Sequence, residues 1–127
     1  MTMVDTDLLI SHLRGRSDAV MALRAIEEPK ASSVSRFELY RGVVGRPDER
    51  KQVQAIDRFL ERVQVLPLDE RCCLFGARVF EELRASGADV GVADAVIAGT
   101  ALAHRETLVS RNEKHYERVN GLRWRPW

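Results

Sequence analysis

Met3-Val4-Asp5-Thr6-Asp7-Leu8-Leu9-Ile10 carries the reading of the fold, because an apolar extended start runs into a helix within a few residues. Met3 to Asp5 reads as a short strand. Thr6 then reads as a helix cap, and Leu9, Ile10 and Leu13 continue at helical spacing until Gly15. The same switch recurs downstream. Ser17 to Glu28 fits a helix with Ser17 as its cap, Ala19, Val20 and Leu23 on one side, and Pro29 at its end. Ala31 to Val34 reads as a strand. Ser35-Arg-Phe-Glu38 has the Ser-x-x-Glu form of a capping box and opens a helix that closes between Gly42 and Gly45.

Further along, Val53, Ile56, Leu60 and Val63 step by three and four, which predicts an amphipathic helix over 50–63 with Phe59 on its margin. Val65 to Leu68 is a short apolar run. Asp69 caps a long helix carrying Cys73, Ala77, Phe80 and Leu83 at helical spacing until Gly87. A loop over 86–91 precedes a helix of small residues over 92–104. A strand over 107–110, a short helix over 112–118 and a final strand over 122–124 complete the chain. Strands alternating with helices of about 10–15 residues predict an α/β fold, a mainly parallel sheet doubly wound with helices on both faces. In such sheets the ligand site lies beyond the carboxyl ends of the strands, where strand order reverses.

Composition narrows the function classes. A chain of 127 residues suits one core, so a single domain over 1–127 is expected. With 20 Lys plus Arg against 19 Asp plus Glu, no whole-protein field draws in nucleic acid or membrane, and a polyanion site has to be local. The only lysines are Lys30, Lys51 and Lys114, and the arginine bias suits phosphate binding as well as a GC-rich genome. Cys72 and Cys73 are adjacent in a helical stretch and point apart, which predicts no bridge and a reducing compartment. Asp5 and Asp7 stand where an export signal needs basic residues. The apolar run from Ala95 to Ala103 is broken by Gly99 and Thr100, far short of the roughly 20 residues that span a bilayer. A cytosolic protein with no membrane contact is expected.

Three carboxylates occupy the positions where an α/β sheet places chemistry: Asp5 at the end of the first strand, Glu38 in the first turn after the second, and Asp94 at the start of the small-residue helix. Converging carboxylates repel, so they become useful when a hard divalent cation neutralises them, and oxygen ligands suit Mg²⁺ or Mn²⁺. Such an ion activates water for in-line attack on a phosphodiester. Each acid also has a purely structural reading. Glu38 completes the capping box with Ser35, Asp94 meets the positive end of a helix dipole, and Asp5 begins a turn.

Four blocks resemble the motifs of PIN-domain ribonucleases, most closely the VapC-type toxins of bacterial toxin–antitoxin pairs. They are Val4 to Ile10, Ser35 to Gly42, Val92 to Ala101 and Thr107 to Tyr116, in family order between Met3 and about Trp124. The resemblance implies a PIN-like α/β/α sandwich with a mainly parallel central sheet. It makes Asp5, Glu38 and Asp94 the metal ligands and Thr6 a support for Asp5 or a bound water. The fourth block often offers another acid, and here those places hold Asn112 and His115. Asn112 then joins the catalytic set as a neutral ligand or an orienter of water, with a weaker second metal. The implied function is a Mg²⁺- or Mn²⁺-dependent endoribonuclease with an RNA substrate. The implied partners are a second copy in a homodimer and a cognate antitoxin, together forming a heterotetramer or larger.

Other residues invite competing readings. His12, His104 and His115 suggest a paired-imidazole ribonuclease, although nothing in the sequence brings two together, and His104 also suits a helix C-terminus. Arg111 and Lys114 make a basic patch for RNA phosphates or a solvated edge. Trp124 and Trp127 stack bases, close the core or make a dimer contact. No Gly-rich phosphate loop, zinc-type Cys/His spacing or Ser-His-Asp signature is present. Two other functions compete: a receiver-like signalling domain that binds Mg²⁺, and a PIN fold that keeps partner binding and has lost cleavage.

Overall fold

A computed structural model describes residues 1–127. Its sheet has five strands in the order β3-β2-β1-β4-β5, every pair parallel. The strands are β1 (Thr2–Val4), β2 (Lys30–Ser32), β3 (Gln64–Leu66), β4 (Thr107–Val109) and β5 (Trp124–Arg125). The helices are α1 (Thr6–Leu13), α2 (Ser17–Arg24), α3 (Ser33–Arg41), α4 (Glu49–Leu60), α5 (Glu70–Ala85), α6 (Val92–His104) and α7 (Glu113–Tyr116). No helix is long and apolar enough to cross a membrane. The expected α/β class, doubly wound on a parallel sheet, is the one observed.

The period of two along a strand builds both cores. Met3 and Leu108 face one side, against Val79 and Leu83 of α5 and Ile97, Ala98 and Ala101 of α6. Val4, Ala31 and Val109 face the other, against Leu8 and Leu9 of α1, Leu39 of α3, and Ile56 and Leu60 of α4. Met3, Val4, Leu8 and Leu9 are all 0 % exposed. Each buried aliphatic of this size contributes roughly 1.5–3 kcal/mol by leaving water. Strand order runs outward from β1 to β2 and β3, then restarts on the other side with β4, so β1 and β4 flank the reversal point. This order also removes the receiver-like reading, because receiver domains carry the order 2-1-3-4-5.

Several element ends differ from expectation. Asp5, not Thr6, caps α1 by accepting from Asp7 N. Arg16 rather than Ser17 precedes α2, without a side-chain cap, and that helix stops at Arg24 instead of Glu28. The second strand ends at Ser32, which itself caps α3 by accepting from Val34 N. Ser35 lies inside α3, so the Ser-x-x-Glu pattern is not a capping box here. α4 covers 49–60, which leaves Val63 beyond its end. The seventh helix is shorter than expected, and the last strand is displaced to Trp124–Arg125.

The largest correction concerns α5, which buries Cys72, Gly76 and Val79 together with the expected Leu83, leaves Phe80 partly buried on the margin, and turns Cys73 and Ala77 outward. Backbone contact explains the rotation. A Cβ built on Gly99 of α6 would lie 2.2 Å from Gly76 N and 2.4 Å from Gly76 Cα. Two glycines let the helices touch, and α5 turns its smallest residue into that contact. Gly99→Ala is therefore expected to cost about 3 kcal/mol or more, since backbone atoms rather than a flexible side chain must move. Gly76→Ala, whose Cβ would meet Val96 Cα at 3.2 Å, should cost less. Urea unfolding checks both, through a lower midpoint at an unchanged slope.

Candidate active site

The acids gather at the reversal point. Asp5 follows the central strand and is 3 % exposed. Its Oδ1 accepts from Asp7 N at 2.7 Å and its Oδ2 from Ser110 Oγ at 2.5 Å. Ser110 follows β4, and its Oγ in turn accepts from Asn112 N at 2.9 Å. The two strands that flank the reversal thus meet through one carboxylate and one hydroxyl.

Glu38 projects from α3 toward the same end of the sheet. Its Oε1 accepts from Thr6 Oγ1 at 2.6 Å, and Thr6 Oγ1 lies 2.8 Å from Ser35 Oγ. Thr6 and Ser35 therefore tie the first turn of α1 to α3 and aim Glu38, a tertiary use of residues that resemble local caps. Arg41 Nη2 approaches Glu38 Oε2 at 3.8 Å from the solvent side. Asp94, in the first turn of α6, receives Asn112 Nδ2 at 3.2 Å and lies 3.2 Å from His115 Nδ1 through Oδ2. Tyr116 donates its hydroxyl to Asp94 Oδ1 at 3.4 Å. Glu38 and Asp94 line one cleft of about 600 Å³, together with Val34, Phe37, Arg41 and Val92.

The charges feel one another. Burial raises the Asp5 carboxyl from 3.8 to about 6, the Ser110 bond opposes that rise, and the Asp7 and Asp94 charges add to it. Asp7 is also raised, by burial and by Asp94. Burial, followed by the Asp94 and Asp5 charges, pushes the Tyr116 hydroxyl well above its ordinary value, so it remains a proton donor. Oxygen donors with excess negative charge fit a hard divalent cation that retains several waters. A separate trio, Asp69, Cys72 and His104, brings its donor atoms within 4.8 Å of one another.

Each expected site residue thus has a place: Asp5, Glu38, Asp94 and Asn112 lie at one end of the sheet, with His115 beside them. The other candidates disperse. His12 stacks on Phe59 at 4.7 Å between ring centroids, and His104 ends α6. Arg111 is engaged elsewhere, pairing with Asp18 at 3.0 Å and lying 3.6 Å over the Trp127 ring. Trp124 donates Nε1 to Ser110 O, which favours a structural role for the tryptophans. Sequence reasoning misses Asp7, Ser110 and Tyr116 as parts of the site. Asp7 has a signal, an acid two residues beyond Asp5, whereas Ser110 and Tyr116 are common types with no chemical signature of their own.

Known proteins of one kind resemble this chain. A family model described as PIN domain matches residues 2–122. Ribonuclease VapC1 of Haemophilus influenzae (strain R2866) is 29% identical over 129 residues, covering 98% of this chain and 96% of the relative. The tRNA(fMet)-specific endonuclease VapC of Shigella flexneri is 29% identical over 127 residues, with the same coverage of 98% and 96%. Among solved structures, VapBC-1 from nontypeable Haemophilus influenzae superposes with a TM-score of 0.85 at 28% identity, covering 99% of this chain and 97% of that one. DNA-bound VapBC from Salmonella typhimurium gives 0.89 at 24% identity, over 99% and 97%, a likeness of fold.

The raised Asp5 carboxyl has a consequence for stability. Its folded value of about 6 exceeds the unperturbed 3.8, so between these values the folded protein binds the extra proton. The stabilisation is fully present below about pH 4 and is lost as pH rises through about 6, an effect on the order of 3 kcal/mol. Asp5→Asn keeps the cap oxygen and cannot ionise. In a chelator, the difference in unfolding free energy between this variant and the original should grow in favour of the variant from pH 4 to pH 7. A pH-independent difference would show that Asp5 ionises normally.

Proposed function

Because the chain belongs to the PIN-domain family, we propose that it is an endoribonuclease that hydrolyses RNA phosphodiesters at the Asp5, Glu38 and Asp94 cluster, as the toxin of a toxin–antitoxin pair. The observation that carries this reading is the shared field of Asp5 and Asp94 at the reversal point, with Glu38 tied to the same turn through Thr6. The whole chain, 1–127, is read as one nuclease domain working in the cytosol.

Asp5, Glu38 and Asp94 are assigned as the residues that hold Mg²⁺ or Mn²⁺. When bound, such an ion polarises the phosphate and makes a hydroxide available for attack. The chain's own groups do the rest. Ser110 and the Asp7 N–H fix the two oxygens of Asp5, and Thr6 fixes one oxygen of Glu38. Asn112, His115 and Tyr116 hold the two oxygens of Asp94. Asn112 supplies no charge, so a second ion is held less strongly than a fourth carboxylate would hold it.

The cleft also suits a protein partner. Phe37 and Val92 on its lining are 63% and 68% exposed, which gives an apolar rim around an acidic floor. The relatives of known structure include VapBC complexes, and by the same logic an antitoxin segment is proposed to lie here. A basic side chain entering the cleft would compete with the metal for the carboxylates. A homodimer of this chain, joined with antitoxins into a heterotetramer or larger, completes the proposed assembly.

Asp5→Asn or Asp94→Asn should leave the fold intact and cut Mg²⁺- or Mn²⁺-dependent cleavage of single-stranded or hairpin RNA by orders of magnitude. Glu38→Gln separates roles further: glutamine keeps an acceptor for Thr6, so the melting temperature should hardly change while cleavage falls. Gel assays with purified protein, with and without EDTA, make the test. Wild-type rates in these variants, or activity unaffected by EDTA, would overturn the metal mechanism. Asn112→Asp places a carboxylate beside Asp94, so calorimetric titration should show tighter Mn²⁺ binding.

A further inference from the structure

At the far end of α6 from the acids, three donor groups converge that the proposed chemistry does not use. Asp69 caps α5, Cys72 lies in its first turn, and His104 closes α6. One donor atom from each lies within 4.8 Å of the other two. Asp94 and His104 are ten residues apart on the same helix, about 15 Å at 1.5 Å per residue. This trio is therefore separate from the cleft.

The ordinary structural roles leave donors over. Asp69 needs only Oδ1 for its cap, which accepts from Cys72 N at 2.9 Å, and Oδ2 remains available. The Cys72 side chain is buried at 0 % exposure, and its Sγ lies 3.8 Å from Pro67 O and also interacts with the side chains of Asp69 and Thr100. His104 Nε2 is buried and has no hydrogen-bond partner. A buried polar atom without a partner costs free energy, so the orphaned His104 nitrogen, beside the buried Cys72 sulfur and the exposed Asp69 carboxylate, points to a ligand shared by all three. Sulfur, imidazole nitrogen and carboxylate oxygen together form the ligand set of a tetrahedral borderline-soft ion, with one position left for water.

We propose that Asp69, Cys72 and His104 form a second metal site, for Zn²⁺ or an ion of the same class, which clamps the start of α5 to the end of α6. Tetrahedral bonds of about 2.0–2.3 Å set donor atoms about 3.3–3.8 Å apart, so small side-chain rotations close the trio onto an ion. Cys72 gives up its thiol proton to solvent as the sulfur–metal bond forms. The clamp joins the two helices already in backbone contact at Gly76 and Gly99, and it holds the helix that presents Asp94 at its other end. The site rests on none of the proposed catalytic residues, so it stands or falls independently of the nuclease reading.

Co²⁺ is the probe, because it replaces Zn²⁺ and reports a thiolate ligand by charge-transfer absorption in the near ultraviolet. Metal-stripped full-length protein should bind one equivalent with that absorption and with the visible bands of a tetrahedral ion. Zn²⁺ should displace it, and excess Mg²⁺ should not. The signal should persist in Asp5→Asn and in Cys73→Ser, disappear in Cys72→Ala, and require at least about tenfold more Co²⁺ in His104→Gln. Melts without metal establish that each variant folds, and if Cys72→Ala does not, His104→Gln decides alone. Absence of the thiolate band in the original protein overturns the proposal, as does its survival in Cys72→Ala, unchanged affinity in His104→Gln, or loss in Asp5→Asn or Cys73→Ser.

Discussion

A carboxylate buried at the end of the central strand is the constraint around which the rest of this protein is arranged. Asp5 is almost inaccessible, and its neighbours include two further acids, Asp7 and Asp94. Taking such a charge out of water is expensive unless hydrogen bonds and opposite charge compensate. The chain supplies the first in full and the second only in part. Ser110 and the Asp7 N–H satisfy one oxygen each, and the N-terminal end of α1, which Asp5 caps, contributes a partial positive charge. No Lys or Arg pairs with Asp5. Such a shortage of positive charge suits the cation proposed for this cluster.

The strand order makes that arrangement possible. Parallel strands put all their carboxyl ends on one edge, and the reversal between β1 and β4 opens a crevice there with no crossover connection on top of it. Into it come the first turn of α1, the first turn of α6 and the segment after β4. Two of these are helix starts, whose dipoles favour negative charge. The third brings Ser110 and Asn112, which bond acids without adding charge. Glu38 arrives from α3 and takes its aim from Thr6 and Ser35, a hydroxyl pair between two helices, with only the long 3.8 Å approach of the exposed Arg41 to its other oxygen. A lysine in place of the hydroxyls would neutralise the group it positioned far more than the distant Arg41 does.

Elements are legible in the sequence where periodicity is clean, and boundaries are illegible where tertiary contacts choose them. The small-residue helix over 92–104 is observed over the same span, because Gly99 and the alanines pack on every side and no polar face confuses the pattern. The first half of the α5 face is misread by one residue, since hydrophobicity ranks Cys73 and Ala77 above a glycine while the backbone contact selects Gly76. The Ser-x-x-Glu stretch shows the same limit more sharply. A local pattern predicts a cap, yet Ser32 provides it and Ser35 bonds across to Thr6. Acids at strand ends are legible because topology gives them a place in advance. Their supports are not, because Ser110 and Tyr116 acquire meaning only once β4 and α7 have packed beside β1 and α6.

The two ends of α6 present opposite kinds of ligand, and this bears on how one chain could hold two ions without exchanging them. Divalent affinity for nitrogen and oxygen donors rises from Mn²⁺ toward Zn²⁺, so an all-oxygen cluster does not by itself exclude zinc. Exclusion comes from competition. A site offering thiolate and imidazole binds a scarce soft ion far more strongly than carboxylates do, and it rejects Mg²⁺, which dehydrates reluctantly and demands oxygen ligands. On the proposed assignments, scarce zinc would fill the Asp69, Cys72 and His104 site first, while the acids would remain open to the abundant hard ion. The helix between them is buried along most of its length, and at Gly99 it is in backbone contact with α5. A rod packed this closely transmits displacement rather than absorbing it. Fixing its carboxyl end to α5 would restrict where its amino end carries Asp94, so the proposed soft ion would act on the acidic site by position rather than by chemistry.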